Sequence, residues 1–344
     1  MAGKRYDSIQ GYRFLLFISV FLFHCENIWF SIGWGGVQAF LVLSSFFLTS
    51  KLSVRDDIYL ASELKHRIKR LYPPYILLMI GCIAFSSIAY HKIPNGIPAY
   101  LLSAQNFYWT FFGWNPMFGF GHTWYMTLDV YLFILWVFVI KFTPKNRLLL
   151  VNYIGMAFSV LYRIVCNIWL DNSFIAYTLP FGQLDSYCLG SVLALRIMNG
   201  KTDKKYAVID SVIGIAGIIA CMVYVAVVHN LNAVESYTFF AKARNYVGDL
   251  IAVNLYLFVG ILSAGLFRFC IDAKPNSFLA NKWMVKLGDW SYALYLFHMP
   301  FIVLCMKVVK MPWLVAAITL PLTILSAYIW HTYLERRIVN IIGK

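Results

Sequence analysis

The sequence predicts an all-α, polytopic membrane helical bundle of about ten transmembrane helices with both termini cytoplasmic. Three observations predict it. Of 344 residues, 61% are hydrophobic and 13% charged, about half the charged share of a soluble domain. Apolar runs recur at the length a bilayer-spanning helix needs, and no ten-residue alternation suggests a membrane β-barrel. The basic residues sort to one side of those runs.

In order, the predicted spans are about 11–30, 35–50, 72–90, 121–140, 148–168, 174–197, 207–228, 246–267, 288–309 and 313–334. Lys4 and Arg5 precede the first run as in a signal peptide, but Glu26 and Asn27 follow it without a small-residue cleavage site, so an uncleaved span is expected. The second run is short and Gly-flanked, which suits a tilted or partly re-entrant helix. Residues 97–118, aromatic and rich in Pro and Gly, read as an interfacial or re-entrant cap. The expected organisation is one membrane domain, 1–344, with no room for an added soluble domain.

With the N-terminus inside, 22 of the 29 Lys and Arg fall on the cytoplasmic side. Only Lys92, Lys242, Arg244, Lys307 and Lys310 fall outside, and Arg13 and Arg163 lie within spans. This asymmetry predicts a multi-pass protein of the cell (inner) membrane. It accounts for most of the +14 charge without a nucleic-acid partner; the expected partners are membrane lipids. The seven cysteines show no CxxC or Cys/His spacing, so no metal site is expected.

Ionisable groups inside spans are costly and usually functional. Arg13 and His24 are eleven residues apart, which puts them on one helix face and about 16 Å apart along the axis. This predicts a cation near the inner surface and an imidazole near mid-bilayer. Neutral imidazole suits proton abstraction near neutral pH, although a core histidine is an equal reading. Arg67 and Arg70, in HRIKR, share a helix face. They serve either as a membrane anchor or as a clamp for phosphates. His122, Tyr125 and Asp129 form one polar stripe. Asp129 lies at a depth that suits orienting His24, or it pairs elsewhere, for example with Arg163. Ser291, Tyr295 and His298 share a face of the ninth span and, with His122 and Tyr125, are candidates for an acceptor pocket, interfacial aromatics and a helix-end serine being an equal reading.

Taken together, YDSIQGYRFLLFISVFLFHC, GWGGVQAFLVLSSFFLTS, RIKRLYPPY, GHTWYMTLDVYLF and LGDWSYALYLFH, in this order, resemble the membrane acyltransferase-3 family. That family O-acylates extracytoplasmic carbohydrates. Two departures stand out: Ser45 follows Ser44 where the family commonly has Gly, and Asp129 stands alone where it commonly has Glu. The resemblance implies an acyl-CoA-dependent O-acyltransferase, with acetyl-CoA the usual donor and a glycan hydroxyl the acceptor. It implies that Arg67 and Arg70 hold CoA phosphates, that Arg13 lines the donor entry and that His24 is catalytic, as a general base or as a transient acyl carrier. With no fused hydrolase-like domain in view, any second transfer step is expected of another protein. The mechanism requires one polar passage joining the arginines to His24. The rival readings are a transporter or exporter using intramembrane Arg, His and Asp, and a non-enzymatic sensor on the same scaffold.

Overall fold

The computed structural model describes residues 5–91, 93–170, 173–201, 203–241, 249, 252–275, 277–335 and 337–338. Lys4, Lys92, Lys242, Arg244, Arg336 and Lys344 of the charge analysis lie outside this set. Among the described residues the chain is helical, without strands. Its helices are α1 (Asp7–His24), α2 (Gly35–Leu52), α3 (Leu60–Tyr90), α4 (Ile97–Leu101), α5 (Gln105–Phe112), α6 (Trp124–Phe142), α7 (Leu148–Ile168) and α8 (Ser173–Thr178). There follow α9 (Leu184–Met198), α10 (Lys204–Val228), α11 (Ala233–Phe239), α12 (Leu255–Ile271), α13 (Lys282–Asp289), α14 (Ser291–Cys305) and α15 (Pro312–Ile329).

Six described segments are long and apolar enough to cross a membrane: Ile28–Leu52, Leu60–Tyr90, Gly121–Phe142, Lys145–Ile168, Lys204–Val228 and Pro312–Leu334. Two shorter apolar helices, Leu255–Ile271 and Ser291–Cys305, accompany them. Each of the ten predicted runs carries a helix, but several are shorter or shifted. Helix α1 begins at Asp7 and ends on His24, not at residue 30. Glu26 takes a left-handed φ of 58°, a conformation that ends helices, and Asn27 then caps a short 3₁₀ turn by accepting from the Trp29 amide. His24 therefore sits at the end of its helix, about 26 Å from its start, rather than at mid-span. The sixth run is broken into α8, a 3₁₀ turn at Pro180–Gln183 and α9. Helix α3 begins at Leu60 and carries Pro73 and Pro74 in its interior. Arg67 and Arg70 thus lie on the same helix as the span that follows, not on a separate loop. Residues 97–118 form the pair α4 and α5, where the Tyr75 hydroxyl donates to the Tyr100 carbonyl.

Helix α2 is the centre of the bundle, with most of its residues buried against α1, α6, α9 and α12. A Cβ at Gly190 of α9 would lie 2.1 Å from the Val42 carbonyl oxygen of α2. That close approach of two backbones is how apolar helices gain packing in lipid. An ion pair and a hydrogen bond tie helix ends together: Lys145 meets Asp56 at 3.2 Å, joining the α2–α3 and α6–α7 connections at one end. At the other end Lys307 donates to the Tyr90 hydroxyl at 2.6 Å.

The intramembrane acids find named partners. Arg163 pairs with Asp185 at 2.6 Å, both side chains fully buried, and donates also to Gly182 O and Ser159 Oγ. The alternative pairing of Arg163 with Asp129 is thereby corrected. Leaving one member of such a pair alone costs about 3–5 kcal/mol, whereas replacing both by apolar groups is often neutral. Arg163→Ala and Asp185→Ala are therefore each expected to lower the melting temperature of the detergent-purified protein sharply. The double change Arg163→Met, Asp185→Leu is expected to recover most of the loss, and a double variant as unstable as the worse single would contradict this account.

Candidate active site

A cavity of about 400 Å³ opens between α1, α2, α3, α6 and α14. It brings together Arg13, Arg67, Arg70, Tyr125, Asp129, Ser291 and Tyr295, all singled out in the sequence, and adds Ser44, Lys51, Glu63 and His66. Four cations (Arg13, Lys51, Arg67, Arg70) face two carboxylates (Glu63, Asp129) on its walls. The formal excess of positive charge in a low-dielectric surround favours an anion.

The two arginines of HRIKR are not equivalent. Arg67 forms an ion pair with Asp129 and donates to Ser44 Oγ at 3.1 Å, while Ser44 donates to Asp129 Oδ1 at 2.8 Å. Its guanidinium lies 4.2 Å from the Phe133 ring centroid. This closed triangle ties α2, α3 and α6 together. Arg70 is exposed at the cavity and has no ion pair among the described residues. Arg13 donates to the neutral Gln10 Oε1 at 3.0 Å. The charges of Arg13 and Arg70 therefore remain available to a ligand, whereas Arg67 is held by its own carboxylate.

The expectation that Asp129 orients His24 is overturned by this pairing, because the partner of His24 is another imidazole. His24 Nδ1 lies 2.8 Å from His298 Nε2, and His298 Nδ1 lies 2.6 Å from the Tyr295 carbonyl. A carbonyl only accepts, so His298 Nδ1 carries a proton. In the neutral ring His298 Nε2 then accepts, so His24 donates through Nδ1. The free lone pair of His24 is thereby placed on Nε2. His122 completes the cluster: its ring centroid is 5.0 Å from that of His298. Its Nε2 donates to Leu296 O at 3.0 Å, leaving buried Nδ1 without a partner. His122 and His298, expected in an acceptor pocket, thus stand as direct neighbours of the candidate base. Sequence spacing could not pair His24 with His298 across 274 residues. The signal was only that His298 is an ionisable group in an apolar helix.

The arginine cavity and the histidines do not form one open passage. Tyr295 stands between them: its ring lines the cavity, its hydroxyl donates to the His122 carbonyl and its own carbonyl accepts from His298. The rings of Tyr125 and Tyr295 are 5.5 Å apart, and both residues line the cavity. The predicted continuous channel is corrected: the arginine cavity reaches Tyr295 but is not lined by any of the three imidazoles of His24, His122 and His298. The reason is that one turn of α14 presents Tyr295 to the cavity and His298 to α1.

Comparison with known sequences gives this architecture a family. The acyltransferase-3 family model, described as an acyltransferase domain, matches residues 6–331. The chain belongs to the acyltransferase-3 family. It is 25% identical over 371 residues to the O-acetyltransferase OatA of Staphylococcus aureus (strain NCTC 8325), covering 97% of this chain and 57% of that one. It is 24% identical over 334 residues to the peptidoglycan O-acetyltransferase OatA of Listeria monocytogenes serovar 1/2a, covering 89% of this chain and 51% of that one. The acyltransferase-3 chain thus spans about half the length of these curated relatives. No solved structure matches it. No group of three or more His, Cys, Asp and Glu is arranged to hold a metal ion among the described residues.

The proton assignment can be read directly. Solid-state ¹⁵N spectra of histidine-labelled protein in lipid, with His24→Gln to identify the signal, are expected to show His24 as the Nδ1–H tautomer. His298→Phe should shift that signal towards the Nε2–H form. A wild-type His24 already protonated at Nε2 would contradict the assignment.

Proposed function

We propose that this protein is a multi-pass membrane O-acyltransferase that moves an acyl group, most often acetyl, from cytoplasmic acyl-CoA to a hydroxyl of an extracytoplasmic glycan. The observation that carries the reading is the pairing of a cationic cavity with a base whose lone pair is oriented by His298, on a chain of the acyltransferase-3 family. The names of the relatives support acetyl as the acyl group and a cell-envelope polysaccharide such as peptidoglycan, or a lipid-linked glycan, as the acceptor. The cation-rich cavity end faces the cytoplasm of the cell membrane, in keeping with the positive-inside asymmetry.

In this reading Arg13 and Arg70 bind the donor's phosphates, and its thioester arm runs along the cavity towards Tyr295. Tyr295 must turn aside for the thioester to meet His24. His24 Nε2 takes the proton of the acceptor hydroxyl as its oxygen attacks the thioester carbonyl. The C–S bond breaks, the ester forms, and the proton passes to the departing thiolate to give free CoA. Alternatively His24 holds the acyl group briefly before the hydroxyl takes it. Arg67 and Asp129 hold the walls in register instead of touching donor or base, and Tyr125 closes the inner end of the cavity. Family membership favours this reading over transport.

His24→Ala is expected to abolish acylation of surface glycans, read as a lost acyl mass by mass spectrometry, with membrane abundance unchanged; full activity would remove His24 from the mechanism. Arg70→Ala is expected to raise the KM for acyl-CoA about tenfold, the worth of a charged hydrogen bond, while Lys201→Ala leaves it unaltered. Arg67→Ala, which strands Asp129, is expected to reduce folded yield as well. Equal effects at Arg70 and Lys201 would reduce Arg70 to a membrane anchor.

A further inference from the structure

Ser291 was expected to meet the acceptor, yet its side chain lines the arginine cavity. The residue is 1% exposed, and its Oγ has no hydrogen-bond partner. A buried hydroxyl without a partner loses the hydrogen bonds it had in water, so Ser291 Oγ is free to bond a ligand group held in the cavity. Ser291 is also the first residue of the 15-residue helix α14, whose N-cap, Trp290, supplies no side-chain cap. Helix α13 ends one residue before Trp290, with the Trp290 amide donating to its Lys286 carbonyl at 3.3 Å, so the amides of α14 open to a ligand are those of its first turn beyond Trp290. Arg13 and Arg70 share the cavity with it.

The neighbouring carboxylates do not oppose an anion. Asp289, two residues before Ser291, is engaged by Arg5 at 2.8 Å. Glu63 is held by Lys51 and by Arg55, and Asp129 by Arg67. Each carboxylate on the cavity wall therefore has its own counter-charge.

We propose that Ser291 Oγ and the first-turn amides of α14 form a phosphoryl-binding subsite, a second anchor for the donor beside Arg13 and Arg70. The ligand class is a phosphate ester or pyrophosphate, bound as helix N-termini bind such groups. The inference rests on the acyl-CoA reading above and assigns Ser291 to donor binding instead of to the acceptor. Two parts of the donor could supply the phosphoryl oxygens: the 3′-phosphate of CoA or its pyrophosphate.

The test is equilibrium binding of CoA, 3′-dephospho-CoA and inorganic pyrophosphate to the full chain in nanodiscs, by calorimetry. Ser291→Ala is expected to weaken CoA about tenfold. Ser291→Thr, which keeps the hydroxyl, should stay near wild type, and Ser291→Asp should abolish binding by placing a carboxylate against the anion. Equal melting temperatures confirm that the variants fold. If the Ser291→Ala penalty vanishes with 3′-dephospho-CoA, the 3′-phosphate occupies the subsite; if it persists, the pyrophosphate does. Unchanged CoA affinity in both Ser291→Ala and Ser291→Asp, with Arg70→Ala weakened, overturns the subsite and leaves the proposed function standing. A Ser291 effect on inorganic pyrophosphate alone also overturns it. A wild-type chain that binds no CoA overturns both.

Discussion

Polar groups inside an apolar bundle must be matched by the protein, because the hydrocarbon around it offers nothing. That constraint organises this molecule. Arg163 is closed by Asp185 and Arg67 by Asp129 and Ser44. His24 is closed by His298, which in turn is closed by a backbone carbonyl. These contacts join helices distant in sequence, so they act as tertiary staples as well as charge partners. What they leave over is informative: Arg13, Arg70 and the hydroxyl of Ser291 gather on one cavity, while the lone pair of His24 and Nδ1 of His122 lie beyond it.

On the proposed function, the imidazole pair prepares a base without a carboxylate. In the familiar arrangement an acid residue holds the proton on the inner nitrogen and frees the outer one. Here a peptide carbonyl takes the place of the acid and a second ring transmits its preference to the first. A neutral chain of this kind adds no charge to the apolar interior. The carboxylate Asp129 instead holds Arg67 and accepts from Ser44.

Tyr295 touches both the cavity and the histidines. Its carbonyl fixes the tautomer of His298, its hydroxyl holds His122, and its ring closes the cavity. Any movement of this ring that admits a ligand also bears on the hydrogen bond that orients the base.

Much of the fold was legible in the chain. Hydropathy located runs that each carry a helix, and helical spacing placed Arg67 and Arg70 on one helix, from which both side chains reach the cavity. The motif residues and their family followed from the same strings. Local periodicity could not say which polar group meets which, because such pairs form between helices tens to hundreds of residues apart. Only the packed bundle assigned Asp129 to Arg67, gave His24 its partner in His298 and put Ser291 among the arginines. Only the backbone at Glu26 ended the first helix on His24. Apolar content is additive along a chain and so is visible in it, whereas the match between buried donors and acceptors exists only once the helices have met.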